Sequence, residues 1–354
     1  MLRRSVIAKR LAAALDGCDR LVLLGDVVEL RDRPLAEALD AAKPVLSVLA
    51  DALGDGELVV VAGNHDHHLV EAWLERCTLA DAEPLGLEQF ADVAEGALAA
   101  MLAGSGAEGA TVAYPGLWLR DDVYATHGHY LDRHLTVPTL ERLGVAGVER
   151  ILGIPPGGPD PLAPPEDRSL DEVEEYERVQ TPVYAFLFAL AQAERDVSRG
   201  SANPSMRVWQ MLAGGETRSA KLRSWLLGAV AVPGAIGVAN RLGLGPVRPD
   251  LSANAIARAG VDGMAAVVES LGIEARHVIF GHTHRRGPLA GEPGWEAGET
   301  RLWNTGSWVH SPALLGRSAA DSPYWPGTIC FLEDDGDPQL VHLLDDLTRA
   351  ELAG

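Results

Sequence analysis

The chain has 354 residues, enough for one large or two ordinary domains with a sizeable core. Its formal net charge of −20 excludes a basic binder that grips nucleic-acid phosphates non-specifically. A phosphate substrate stays compatible with that charge, because bound divalent cations reverse the local field.

Hydrophobic residues make up 47%, an ordinary globular share. The cysteines, Cys18, Cys77 and Cys330, form no CxxC pair, and this sparse, odd set points to a reducing, cytoplasmic setting. The opening Met1-Leu2-Arg3-Arg4 is basic, but the apolar stretch over 11–15 is too short for a secretory signal. Val6, Leu11 and Leu15 predict a helix over 5–15, with Ser5 as its N-cap. A buried strand over 20–24 follows, then a helix over 34–53 that Pro44 bends or splits. The next elements are a strand over 57–61 and helices over 67–76 and 87–102. Through 111–126, Tyr, Trp and Val alternate with polar residues around Pro115-Gly116, which predicts a hairpin or meander. Residues 254–271 read as a helix, 277–280 as a strand, and 301–304, 328–332 and 339–343 as closing strands.

A different region lies between these blocks. Residues 155–165 are rich in Pro and Gly, a loop or linker, and acidic residues follow over 166–177. Thr181-Pro182 reads as a cap and first helical position, opening a helix over 183–196. The most apolar stretch, 225–239, is shorter than the ~20 residues of a spanning helix and is broken by Pro233. It reads as a buried helix hairpin or docking segment, or as a membrane-surface element. The expected organisation is a core of 1–152 and 250–354 with a mainly helical cap, 153–249, inserted in it.

Four apolar runs end in loops built from metal-ligand residue types. Leu21-Val22-Leu23-Leu24 runs into Gly25-Asp26, and Leu58-Val59-Val60-Val61 into Gly63-Asn64-His65-Asp66. Val123-Tyr124-Ala125-Thr126 runs into His127-Gly128-His129, and His277-Val278-Ile279-Phe280 into Gly281-His282-Thr283-His284. Ligands bind outside the carboxyl ends of strands in open α/β sheets, so these loops read as one converging metal site. Seven of the 11 histidines fall in or beside them: His65, His67, His68, His127, His129, His282 and His284. Of these His67 and His68, like His134 and His310 elsewhere, lack motif support and read as polar surface or pocket rim.

The order GD, GNHD, HGH and GHTH resembles the calcineurin-like metallophosphoesterase superfamily over about residues 18–152 and 252–345. Trp303-Asn304-Thr305-Gly306-Ser307 also resembles the turn that often follows GHxH there. The resemblance implies an α/β fold, a two-sheet α/β/β/α sandwich flanked by helices. It implies hydrolysis of a phosphomonoester, phosphodiester or pyrophosphate by attack of a metal-bound hydroxide. The implied cofactors are two divalent metals, Mn, Fe or Zn. One metal would take Asp26, Asn64, His127 and His282; the other would take Asp26 and His284. His65 would be the general acid, with Asp66 holding its other ring nitrogen or else capping the following helix. His129 would contact substrate or stand behind the ligands, and Arg285 or Arg286 would either clamp phosphate, a bidentate Arg being a normal device for it, or be surface arginines.

One motif of that family is missing. The Asp-x-His that ends its first, central strand does not precede Gly25, where Asp16 and Asp19 have no following His. As it stands the chain is expected to hold at most one tight metal. Either the first strand is absent from this chain, or the protein is a divergent single-metal or non-catalytic relative acting as a binding protein. Nucleic acid is a disfavoured partner on charge. In the related UDP-diacylglucosamine hydrolases an apolar cap holds lipid chains. Tyr184, Phe186, Phe188, Trp209 and Trp225 here either face an amphiphilic substrate or membrane surface, or pack the cap.

Overall fold

The computed structural model describes residues 1–2, 4–79, 84–92, 96–155, 173–193, 237, 240–241, 244–245, 247–248, 253–312, 314–316, 318–319 and 322–353. The chain divides into two compact units, one of Met1–His129 with Ile273–Gly354, the other Tyr130–Gly272. The second unit is wider than the insertion expected from sequence, because the helices flanking that segment belong to it.

The first unit is mixed α/β. Helices α1 (Ser5–Ala14), α2 (Leu35–Leu53), α3 (His68–Leu79) and α4 (Gly96–Leu102) accompany strands β1 (Arg20–Leu24), β2 (Glu57–Val61), β3 (Glu88–Phe90), β4 (Thr111–Arg120) and β5 (Val123–Thr126). The C-terminal part adds β6 (His277–Phe280), β7 (Arg286–Gly287), β8 (Glu296–Ala297), β9 (Thr300–Thr305), β10 (Thr328–Phe331), β11 (Gln339–His342) and α8 (Arg349–Ala353). The main sheet has the order β1-β2-β4-β5-β6-β9-β7, with β3 on β4 and β8 on β9, and β10 and β11 form a separate antiparallel pair. Parallel pairs β1–β2, β2–β4, β5–β6 and β6–β9 mix with antiparallel β4–β5.

The strand β2 is buried after its first residue, as an uninterrupted Leu-Val-Val-Val run in a covered parallel sheet should be. By contrast β1 pairs only with β2 among the described residues, and all four of its apolar residues are half-buried. Val22 and Leu24 pack into one apolar cluster with Val59, Val61 and Cys330, and Leu21 and Leu23 into another with Leu11, Leu49 and Ile329. Pro44 lies inside α2, which stays one helix because Leu39, Ala42, Leu46, Leu49 and Leu53 bury one face. Ser5 is already helical, so it cannot cap α1, and Arg4 before it makes no side-chain cap bond.

Two expectations are corrected here. Residues 87–102 are not one helix: β3 pairs antiparallel with β4, Glu88 standing opposite both Pro115 and Gly116, and α4 starts only at Gly96. Helix-favouring Glu and Gln are overridden by this pairing. The expected hairpin over 111–126 is present as β4 and β5, but Pro115-Gly116 is not its turn. The strand β4 runs through it, and the chain reverses between Arg120 and Val123. Proline is tolerated in β4 because it sits at the bulge with β3.

The second unit contains α5 (Leu140–Leu152), α6 (Val173–Ala193) and α7 (Ala253–Ser270). Thr139 caps α5 by accepting from the Arg142 amide at 3.0 Å. The expected helix start at Thr181-Pro182 is overturned, for Pro182 is inside α6. Burial of Tyr176, Val179, Val183, Tyr184 and Leu187 along one face outweighs the ~3 kcal/mol an internal proline costs. Buried Glu149 accepts from Arg133 at 3.0 Å and pairs with Arg142 at 3.5 Å. Of the expected apolar cap residues, Tyr184 is buried and Phe186 exposed. Trp209, Trp225 and the run 225–239, apart from Gly237, lie outside the described residues. Among the described residues no helix is long and apolar enough to cross a membrane.

Candidate metal centre

The long strand β4 explains how loops from oppositely directed strands meet. Its residue Ala113 opposes Val61, the last residue of β2, and its residue Gly116 opposes Thr126, the last residue of β5. The carboxyl ends of β2 and β5 therefore arrive three residues apart at the middle of one strand. Neighbouring β1 ends beside β2, and β6 beside β5. All four ligand-type loops follow from this register.

The loops approach so closely that two glycines are obligatory. A Cβ on Gly25, whose φ is +85°, would stand 2.1 Å from His127 Nδ1, and one on Gly63 would stand 2.3 Å from Asp26 Oδ1. The non-glycine residues with positive φ among the described residues are Asp26 (53°), His282 (62°) and His284 (59°). Left-handed backbone costs such residues about 1–2 kcal/mol each and persists where the surroundings enforce it, typically at functional sites. All three are residues expected to be metal ligands. Buried Asn304 holds the GHTH loop, donating to the Gly281 carbonyl and the Thr283 hydroxyl at 2.9 Å each.

Donor chemistry distinguishes this cluster from an ordinary polar contact. His127 Nδ1 donates to the Leu24 carbonyl at 2.9 Å, which fixes the tautomer and leaves a lone pair on Nε2. That Nε2 lies 3.3 Å from Asp26 Oδ2 and 3.3 Å from Asn64 Oδ1. His282 Nδ1 lies 3.2 Å from the same Asn64 oxygen. Asp26 Oδ2, Asn64 Oδ1, His127 Nε2 and His282 Nδ1 thus converge, and with both rings neutral and their lone pairs turned inward they would offer a cation four donors. Ligand atoms at ~2.1 Å from a tetrahedral or octahedral ion stand about 3.0–3.4 Å from one another, matching these separations. Among the described residues, no three His, Cys, Asp or Glu side chains by themselves form a group placed to hold a metal ion. The set needs the neutral Asn64 oxygen, which joins His127 to His282, and with it the residues fit one divalent cation.

The charges agree with the geometry. Burial alone would raise the Asp26 carboxyl, but the charges of His127 and His65 outweigh it and hold Asp26 well below the usual carboxylate range. Burial lowers His127, yet the Asp26 carboxylate raises it overall, which favours a proton on Nε2 that a bound metal would displace. Burial brings His284 down to about 4, with help from His65, His282 and His127 against the pull of Asp26, so its imidazole is the neutral form a metal takes.

The ring of His65 is held by a residue the sequence reading passed over. Glu29 Oε2 lies 2.7 Å from His65 Nδ1. The only sequence signal for it was an acid three residues beyond Asp26. Asp66 does not take that place. Its Oδ1 accepts from the amides of Gly63 at 2.6 Å and Asp26 at 3.3 Å, and its Oδ2 from Val27 at 2.7 Å and Val28 at 3.3 Å. These bonds reach back across two loops, so Asp66 is neither the partner of His65 nor a side-chain cap on α3. Burial and the Asp26 charge push its carboxyl up to about 6.

The expected substrate contacts are buried. His129 is 1% exposed, stacked on Tyr114 and 5.7 Å from the His127 ring. Arg285 pairs with Glu292 and lies over Trp295 at 4.9 Å, and Arg286 pairs with Asp345 at 2.5 Å. Their guanidinium groups are used in packing the loop after GHTH, not displayed at a surface. His67, expected at a rim, is likewise buried, edge-on to Tyr114. His68 is half-exposed with Nδ1 2.6 Å from Glu71, and His134 Nε2 is 2.6 Å from the Tyr176 hydroxyl within the second unit. Searches with this chain find no matching protein-family model, no matching curated protein and no matching solved structure.

Proposed function

We propose that this chain is a metal-dependent phosphoesterase of the calcineurin-like type, hydrolysing a phosphomonoester, phosphodiester or pyrophosphate. The observation that carries the reading is the meeting of the polar side-chain atoms of Asp26, Asn64, His127 and His282 at 3.2–3.3 Å. These four would hold one divalent ion (Mn, Fe or Zn), and Asp26 with His284 would contribute to a second. Such ions, when bound, polarise a phosphoryl oxygen and lower the pKa of water. The chain's own residues do the rest. Leu24 keeps the lone pair of His127 on Nε2. Glu29 keeps a proton available on His65, which gives it to the leaving oxygen. The Asn64 oxygen adds coordination without adding charge.

In this reading the main sheet and the β10–β11 pair belong to a two-sheet sandwich.

The test is elemental analysis together with turnover of bis-p-nitrophenyl phosphate in Mn(II). Bound metal with turnover supports the enzyme. Metal without turnover supports a single-metal binding protein, and neither would refute both readings.

A further inference from the structure

We infer that Asp66 is the positioning residue that sets the direction of Asp26, and through it the affinity of the centre for metal. The inference deepens the phosphoesterase reading and rests on it for the identity of the metal. Asp66 has 0% exposure, and its two oxygens accept four backbone N–H groups. Three of these are successive, from Asp26, Val27 and Val28. Successive amides converge on one anion only where the backbone curls into a concave nest. The left-handed φ of Asp26, 53°, is part of that curl. The fourth amide, of Gly63, ties the same carboxylate to the loop after β2.

Asp66 thus clamps two loops that lie far apart in sequence. With the clamp closed, Asp26 Oδ1 accepts from the His65 amide at 2.9 Å and Oδ2 stands 3.3 Å from His127 Nε2. The clamp needs a carboxylate. An asparagine of the same shape offers one oxygen and one NH2, and that NH2 would face two amide donors. Two of the four bonds would be replaced by donor–donor contacts, and the loop carrying Asp26 would lose its hold. Asp66 touches neither substrate nor metal; it acts through Asp26.

Calorimetry with Mn(II) alone tests this on the wild-type chain, on Asp66→Asn and on Val60→Ala, a core variant of the neighbouring strand. Asp66→Asn should bind Mn(II) about 10- to 100-fold more weakly, as loss of an outer-shell support typically does. Val60→Ala, destabilised but with its loops intact, should bind as the wild type does. Equal affinity in Asp66→Asn and the wild type overturns the inference. So does equal weakening in both variants, which marks a merely structural effect.

Hydrogen exchange on the wild-type chain reads the clamp without any variant. The Val27 and Val28 amides should exchange slowly although they lie in a loop, and rapid exchange overturns the inference even if Asp66→Asn fails to fold. A wild-type chain that takes up no Mn(II) refutes the phosphoesterase reading instead, and the exchange of Val27 and Val28 then decides the clamp by itself.

Discussion

Glu29 Oε2 and His65 Nδ1 stand 2.7 Å apart, so that Nε2 is the ring nitrogen left to give a proton. Burial lowers the His65 pKa, but the Asp26 charge and the Glu29 contact raise it to about 9. A general acid works protonated, so turnover should fall as pH rises through that pKa. Glu29→Gln removes one raising charge, and the alkaline limb of the pH–rate profile should therefore move to lower pH. A limb that stays in place would show that Glu29 does not govern the proton of His65.

His65→Ala separates acid from ligand. The variant should keep its bound metal and lose turnover by about 10²–10⁴-fold, the usual contribution of such a proton transfer. The loss should shrink for leaving groups of low pKa, which depart without a proton. An equal loss across a leaving-group series would remove His65 from the acid role.

Asp26 is shared by the whole centre, in contact with His65 and His127 and clamped through its own amide. Asp26→Ala should abolish Mn(II) uptake in calorimetry, and the wild-type chain should hold at most one tight ion by elemental analysis. Unchanged affinity in the variant would refute the assignment. Two tight ions in the wild type would show that ligands beyond Asp26 and His284 complete a second site.

Much of this centre was legible in the sequence because each loop follows a short apolar strand, and strand ends in an α/β sheet have few places to go. The strands over 20–24, 57–61 and 277–280 stand where their patterns put them. What was hidden depended on long-range pairing. Pro115-Gly116 has turn composition, yet β3 and β5 on either side hold it extended. Arg285 carries a charge that suggests a surface, yet Glu292 and Trp295 give it a buried place. Glu29 takes the place expected of Asp66, since sequence adjacency to His65 says nothing about which carboxylate the ring meets.

Gly63→Ala tests the closeness of the loops. Its Cβ would stand 2.3 Å from Asp26 Oδ1, 2.7 Å from the Asp26 amide nitrogen and 2.9 Å from the His127 ring. The added methyl must displace a backbone atom and two site side chains at once. Stability should fall by about 1–3 kcal/mol, as in other overpacked sites, and Mn(II) affinity should fall with it. A variant with wild-type affinity would mean that the two loops can separate without disturbing the donors.

Glu149→Ala addresses the second unit, where no metal is invoked. Glu149 is fully buried and sits between Arg133 and Arg142, each 1% exposed. Glu175 remains on Arg133 at 2.6 Å, but Arg142 has no other carboxylate among its ion-pair contacts in the described residues. Removing one member of a buried ionic set leaves uncompensated charge, and the cost is typically about 3–5 kcal/mol. Urea unfolding followed by helical circular dichroism should show a loss of that size, because α5 and α6 carry Glu149 and Glu175. A loss below about 1 kcal/mol is the level of a solvent-exposed pair, and it would show that water reaches these charges in solution.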